Sequence, residues 1–125
     1  MIKVKVQEIL EMLDCQCYLG KEDLDREVYK AFGCDLMSDV LAFDTDKTLL
    51  LTGLTNNQVI RTAEMMDISV IIFVRGKKPT KEVVDLAKNN NMILLSTKHI
   101  LYTACGILYE KGLKGVPRRE EEQNI

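Results

Sequence analysis

The amino-acid sequence predicts an α/β fold, a single three-layer α/β/α domain with a mostly parallel central sheet. Three stretches carry that expectation: TLLLTGL from Thr48, SVIIFVRG from Ser69 and NMILLST from Asn91. Each is a short apolar run without polar alternation, the pattern of a strand buried on both faces, and such strands belong to parallel sheets covered by helices. A polar turn and an amphipathic segment follow each run, so strand and helix alternate along the chain. At 125 residues there is room for one domain, which we place at 1–116.

The elements can be justified in order. Val6, Ile9, Leu10 and Leu13 fall on one stripe of an opening helix that ends near Asp14. Cys15 to Leu19 alternates about Gln16 and stops at Gly20, which predicts a short strand with Cys15 and Cys17 on one face. After the charged turn from Lys21 to Asp25, the segment Arg26 to Phe32 mixes charged and apolar residues. It predicts a more exposed strand with an open edge, interrupted at Gly33. Asp35 is placed to cap a short helix through Leu36, Val40 and Leu41 that runs into the acidic turn Asp44 to Asp46.

In the first strand and helix unit, Thr55 and Gln58 have the spacing of a capping box. The helix behind them turns Val59, Ala63 and Met66 inward and Arg61 and Glu64 outward. In the second, Pro79 and Thr80 open a helix with Val83, Val84 and Ala87 inside, ending at Asn89 to Asn91. In the third, Thr97 is the expected cap of a helix carrying Ile100, Leu101, Ala104, Cys105 and Leu108, closed by a left-handed Gly112. Residues 117–125, PRREEEQNI, have little apolar content and read as a solvated tail.

Charge and composition narrow the function. With 17 basic and 19 acidic residues the formal net charge is -2, which leaves no global field to hold nucleic acid or an anionic membrane. No apolar run approaches the roughly 18 residues of a transmembrane helix, and the N-terminus carries acidic residues at helical spacing where a signal peptide would be apolar. The expected location is the cytoplasm. The 4 cysteines, at 15, 17, 34 and 105, are too scattered for a disulfide scaffold and do not form the CxxC pairs of structural zinc sites. They read as reduced thiols, with Cys15, Cys17 and Cys105 as small core residues, and no metal or cofactor is expected. The stretch Arg75-Gly76-Lys77-Lys78-Pro79-Thr80 lacks P-loop spacing, and Gly53 and Gly76 stand alone where a dinucleotide fold would have GxGxxG.

Several segments together resemble a known family. They are Asp35-Leu36-Met37-Ser38-Asp39-Val40-Leu41-Ala42, Thr52-Gly53-Leu54, Gln58-Val59-Ile60-Arg61-Thr62-Ala63-Glu64-Met65, Phe73 to Pro79, and Cys105-Gly106-Ile107-Leu108-Tyr109. From Val4 to Leu113 the chain resembles a stand-alone DRTGG-domain protein. The resemblance implies a fold similar to the N-terminal domain of HPr kinase/phosphorylase. It also implies a role as a non-catalytic regulatory or assembly partner, one that dimerises and helps to sense nucleotides beside CBS domains or phosphotransacetylase-like enzymes. The five letters that name the family do not occur in a row here, and no CBS repeat is present. No site residue is carried over from that motif.

The residues themselves point to the carboxyl-terminal strand tips, where open α/β sheets bind ligands. The candidate rim is Thr52, Gly53, Asn56 and Asn57 after the first run, Arg75, Gly76, Lys77 and Lys78 after the second, and Ser96 and Thr97 after the third. Helix N-termini with free N–H groups beside Arg75 and Lys77 suit a phosphate or carboxylate, such as a nucleotide or another small phosphate-bearing molecule. The expected partners are a second copy of the chain, such a ligand, and a further protein. The alternative reading is a small enzyme, or a phosphotransfer or metal-cluster accessory protein, that uses His99 with the basic rim. The partner of that histidine would be Asp39 or Asp67.

Overall fold

A computed structural model describes residues 2–117 of the chain. In chain order the elements are β1 (Val4–Lys5), α1 (Val6–Met12), β2 (Gln16–Leu19), a 3-10 turn (Lys21–Asp23), β3 (Glu27–Val28), β4 (Lys30–Gly33), α2 (Met37–Val40) and β5 (Thr48–Thr52). They continue with α3 (Asn57–Met65), β6 (Val70–Phe73), α4 (Lys81–Lys88), β7 (Ile93–Ser96), α5 (Leu101–Glu110) and β8 (Lys114–Gly115). A six-stranded sheet has the order β2-β7-β6-β5-β4-β8, while β1 and β3 form a separate antiparallel pair. Every pairing in the larger sheet is parallel except that of β2 with β7. The expected three-layer fold with a mostly parallel sheet is therefore the one observed.

Period-two geometry builds the layers. Leu49, Leu51, Val70, Ile72, Ile93 and Leu95 face α1 and α5, whereas Leu50, Ile71, Phe73 and Leu94 face α2, α3 and α4. All residues of β5, β6 and β7 are buried. Burying one such side chain contributes about 1.5–3 kcal/mol, and a slip of one residue would exchange the residues of the two faces. That penalty holds the parallel register: Gly33 sits beside Leu51, Thr52 beside Phe73, and Phe73 beside Ser96. The four strand ends therefore lie level, at one end of the molecule.

Some local expectations need correction. The segment Arg26 to Phe32 is two strands: Val28 is buried in the small sheet, and the chain then crosses to β4. Nor is β4 a free edge along its length, because β8 pairs with Lys30 and Ala31 and leaves Phe32 and Gly33 uncovered. Gly33 continues the strand. A Cβ there would lie 2.6 Å from Cys105 Sγ and 3.1 Å from Leu101 Cδ1, so glycine allows α5 to approach the sheet. The cap of α3 is Asn56, whose Oδ1 accepts from Val59 N at 3.2 Å, one residue beyond the predicted Thr55 box; asparagine is the better cap of the two. The helix expected to open at Pro79 and Thr80 does so, with Thr80 as its cap: Thr80 Oγ1 accepts from Val83 N at 3.3 Å.

Neither Asp35 nor Thr97 caps a helix. Leu36 and Ile100 hold the positions before α2 and α5, without side-chain capping bonds. Gly112, with φ 104°, does close α5: its N–H donates to Tyr109 O, and the N–H of Leu113 donates to Leu108 O. Cys15, Cys17 and Cys105 pack against the core on the α1 and α5 face, and all 4 cysteines are free. Burial, with Asp14 beside it, pushes the Cys15 thiol up to about 12, so near neutral pH it is a core thiol and not a nucleophile. No described helix is long and apolar enough to cross a membrane. The expected tail lies, beyond Pro117, outside the described residues.

Candidate functional site

The level strand ends bring the predicted rim together. A Cβ placed on Gly53 would meet the Arg75 guanidinium 2.5 Å away, so the Arg75 side chain lies against the exit of β5. The N–H of Arg75 donates to His99 O at 2.8 Å, and that of Gly76 to Thr97 O at 2.9 Å. The turn after β6 is thus stapled to the loop after β7. Arg75 adopts φ 62° and Gly76 φ 69°. A left-handed arginine costs about 1–2 kcal/mol, strain of the kind that collects at functional sites.

The rim is not one pocket. The turn from Arg75 to Lys78 divides it into two hollows that share no lining residue. The first, about 740 Å³, is open and lies between the exits of β5 and β6; it is lined by Gly53, Asn56, Asn57, Gln58, Lys77 and Thr80, among others. The second, about 470 Å³, lies between the end of α1 and the exits of β6 and β7, and contains Gly76, Lys78, Ser96 and Thr97. Neighbouring lysines thus serve different hollows, Lys77 the first and Lys78 the second.

The three hydroxyl groups of the predicted rim are engaged within the fold. The Thr52 hydroxyl donates to Asp35 Oδ1 at 3.0 Å, and the same oxygen accepts from Gly53 N at 2.7 Å. Asp35 therefore places the chain's own carboxylate where an anion at the tip of β5 was expected. Ser96 Oγ donates to Lys77 O at 2.6 Å, and Thr97 Oγ1 to Leu13 O at 2.7 Å. All three hydroxyl residues are buried. The first hollow is also lined by the first turn of α3 with Asn56, Asn57 and Gln58, by the cation of Lys77 and by the carboxylate of Glu82. Asn57 Oδ1 is buried without a hydrogen-bond donor among the described residues, a cost of about 1–3 kcal/mol. Arg75, Lys77, Lys78 and Lys98 make no ion pair among the described residues.

Sequence reasoning missed Asp35 as a rim residue, because its place beside Gly53 follows from β4 pairing with β5. It also left out Lys98, which lines the second hollow. His99 lines that hollow as well, apart from Lys77 in the first. Asp67, proposed as its partner, precedes β6 and lies with Arg26 and Lys47 at the opposite end of the strands. Among the described residues no group of three or more His, Cys, Asp or Glu could hold a metal ion.

A covered, mostly parallel sheet with its polar hollows at the strand exits defines a small three-layer α/β type of domain. The chain belongs to the DRTGG domain family, whose model matches residues 8–110. Among solved structures it is similar to the CBS and DRTGG domains of the regulatory region of Clostridium perfringens pyrophosphatase, complexed with its activator diadenosine tetraphosphate. The TM-score is 0.69 at 22% identity, with 83% of this chain and 45% of that chain covered, so the likeness is one of fold over less than half of the neighbour. A search of the curated proteins returned no match.

Proposed function

We propose that this domain is a non-catalytic regulatory or assembly module that senses a nucleotide or another small anionic metabolite in the hollow at Lys77. The observation that carries the reading is that hollow itself: about 740 Å³ at the carboxyl-terminal strand exits, with a lysine that makes no ion pair among the described residues and the amide-rich start of α3 on its walls. Its size suits a nucleotide. Lys77 and the nearby Arg75 supply positive charge for a phosphate, Gln58 can both donate and accept toward a base or ribose, and Asn56, whose Oδ1 is engaged by Val59 N, can donate through its amide N–H groups. Membership of the DRTGG family supports a regulatory role, since the neighbour's DRTGG domain lies in a regulatory region.

Thermal melting with a panel of adenine and guanine nucleotides tests this. A ligand at a hundred times its Kd stabilises by about 2.7 kcal/mol, roughly 10 °C for a domain of this size. Lys77→Ala should remove the shift, whereas His99→Ala should leave it intact. Unchanged melting across the panel at millimolar ligand would end the reading. An enzyme using His99 with Lys77 is disfavoured, because the two residues line different hollows.

The module is also proposed to act as a homodimer. Where β8 ends, Phe32 and Gly33 stay paired with β5 but have no strand on their outer side among the described residues, and an apolar hollow of about 280 Å³ lined by Phe32, Phe43, Tyr109 and Val116 opens beside them. Large apolar side chains are exposed on the neighbouring elements, Leu36 at 58% before α2 and Tyr102 at 86% on α5. An unpaired strand edge with apolar flanks invites a second copy. Light scattering on the eluted protein should give twice the 14.2 kDa chain mass; a monomer at micromolar concentration would remove this part.

A further inference from the structure

We propose that the second hollow is a binding site of its own, distinct from that at Lys77, and that it takes a phosphorylated sugar or a similar phosphorylated polyol. It encloses about 470 Å³, within the range of small-molecule sites. Its walls carry opposite chemistry. From the exits of β6 and β7 come Lys78, Lys98 and His99, while the connection from α1 to β2 contributes Asp14 and Gln16.

The first wall is a phosphate wall. Neither Lys78 nor Lys98 is paired with a carboxylate among the described residues. Two ammonium groups and an imidazole N–H offer donors to the three terminal oxygens of a phosphate monoester, and the ammonium charges balance its two negative charges. The second wall selects what the phosphate is attached to. Asp14 presents carboxylate oxygens, which repel a second anionic group and accept from hydroxyls; Gln16 both donates and accepts. A ligand matched to both walls is anionic at one end and hydroxylated at the other. A dicarboxylate or a polyphosphate fails at Asp14, and a neutral sugar leaves the lysines unused.

The floor is built in advance. Buried Thr97 donates to Leu13 O at 2.7 Å, tying β7 to the end of α1, and its own carbonyl accepts from Gly76 N at 2.9 Å. The two walls are therefore held at a fixed separation, and little ordering cost falls on binding.

Calorimetric titration at low ionic strength with glucose 6-phosphate, inorganic phosphate and glucose decides the matter. Glucose 6-phosphate should bind at least about tenfold more tightly than inorganic phosphate, and glucose should give no heat. Lys98→Ala should weaken glucose 6-phosphate by about tenfold, the loss of one charge-assisted contact. Asp14→Asn keeps a residue type that tolerates the left-handed backbone at this position, where φ is 51°, and should narrow the gap between glucose 6-phosphate and inorganic phosphate. In Lys77→Ala, whose side chain lines the other hollow, the preference for glucose 6-phosphate over inorganic phosphate should persist. Equal binding of phosphate and glucose 6-phosphate, or no binding of either, would overturn the proposal. Binding lost in Lys77→Ala but kept in Lys98→Ala would overturn it too, while leaving the reading of the first hollow standing.

Discussion

Phe73→Ala should destabilise the domain by about 3–5 kcal/mol, the range for truncating a buried phenylalanine. Phe73 is among the largest fully buried side chains, ends β6, and packs in the core beneath α2, α3 and α4. Domains are stable by only about 5–15 kcal/mol, so this one change removes a large fraction of the total. Urea unfolding followed by circular dichroism should show the midpoint falling with an unchanged slope, since the surface exposed on unfolding is nearly the same. A loss below about 1 kcal/mol would mean that this face of the sheet is not a packed core. Because Val74 to Lys77 leave the strand directly after Phe73, the variant should also weaken any ligand held by Lys77.

Gly20→Ala should cost about 2–4 kcal/mol, for two separable reasons. Gly20 holds φ 88°, which an L-residue adopts at a penalty. A Cβ there would also lie 2.7 Å from Ile93 Cγ1 and 3.1 Å from Ile93 Cα, so the clash involves the backbone of β7 as well as a side chain. Gly76→Ala provides the comparison: φ is 69°, but no heavy atom lies within 4 Å of the added carbon. It should cost only the conformational part, about 1–2 kcal/mol, and the difference in chemical-denaturation midpoints measures the collision. Equal losses in the two variants would show that the chain after β2 does not press against β7.

The strands at the centre were legible because a side chain buried on either face of a sheet must be apolar. That requirement wrote TLLLT, VIIF and ILLS into the sequence as unbroken runs. The helices behind them were legible for a related reason: Val59 and Ala63, or Val83 and Ala87, repeat at the spacing of one buried stripe. Thr80 and Gly112 could be assigned because their partners are three or four residues away in the chain. The small pairing of β1 with β3 was not read, since two-residue strands carry no usable period. Nor was β8, whose Lys114 and Gly115 form a strand only through contact with β4.

The site divides along the same line. Sequence alone placed Gly53, Arg75 and Thr97 near one another, because successive parallel strands must end at the same side of a sheet. It could not say which polar groups were already engaged. Thr52 bonds across 17 positions to Asp35, Ser96 across 19 to Lys77 O, and Thr97 across 84 to Leu13 O. A hydroxyl has the same chemistry whether it caps a helix, meets a ligand or ties two elements together, so only the tertiary structure decides among these uses. It also decided that the single rim is two hollows, because the backbone of one turn, bonded through Arg75 N and Gly76 N to the loop after β7, passes between them. Local pattern determined the layers of this protein and the end at which its polar groups gather. Contacts between distant parts of the chain determined which of those groups are left for a ligand.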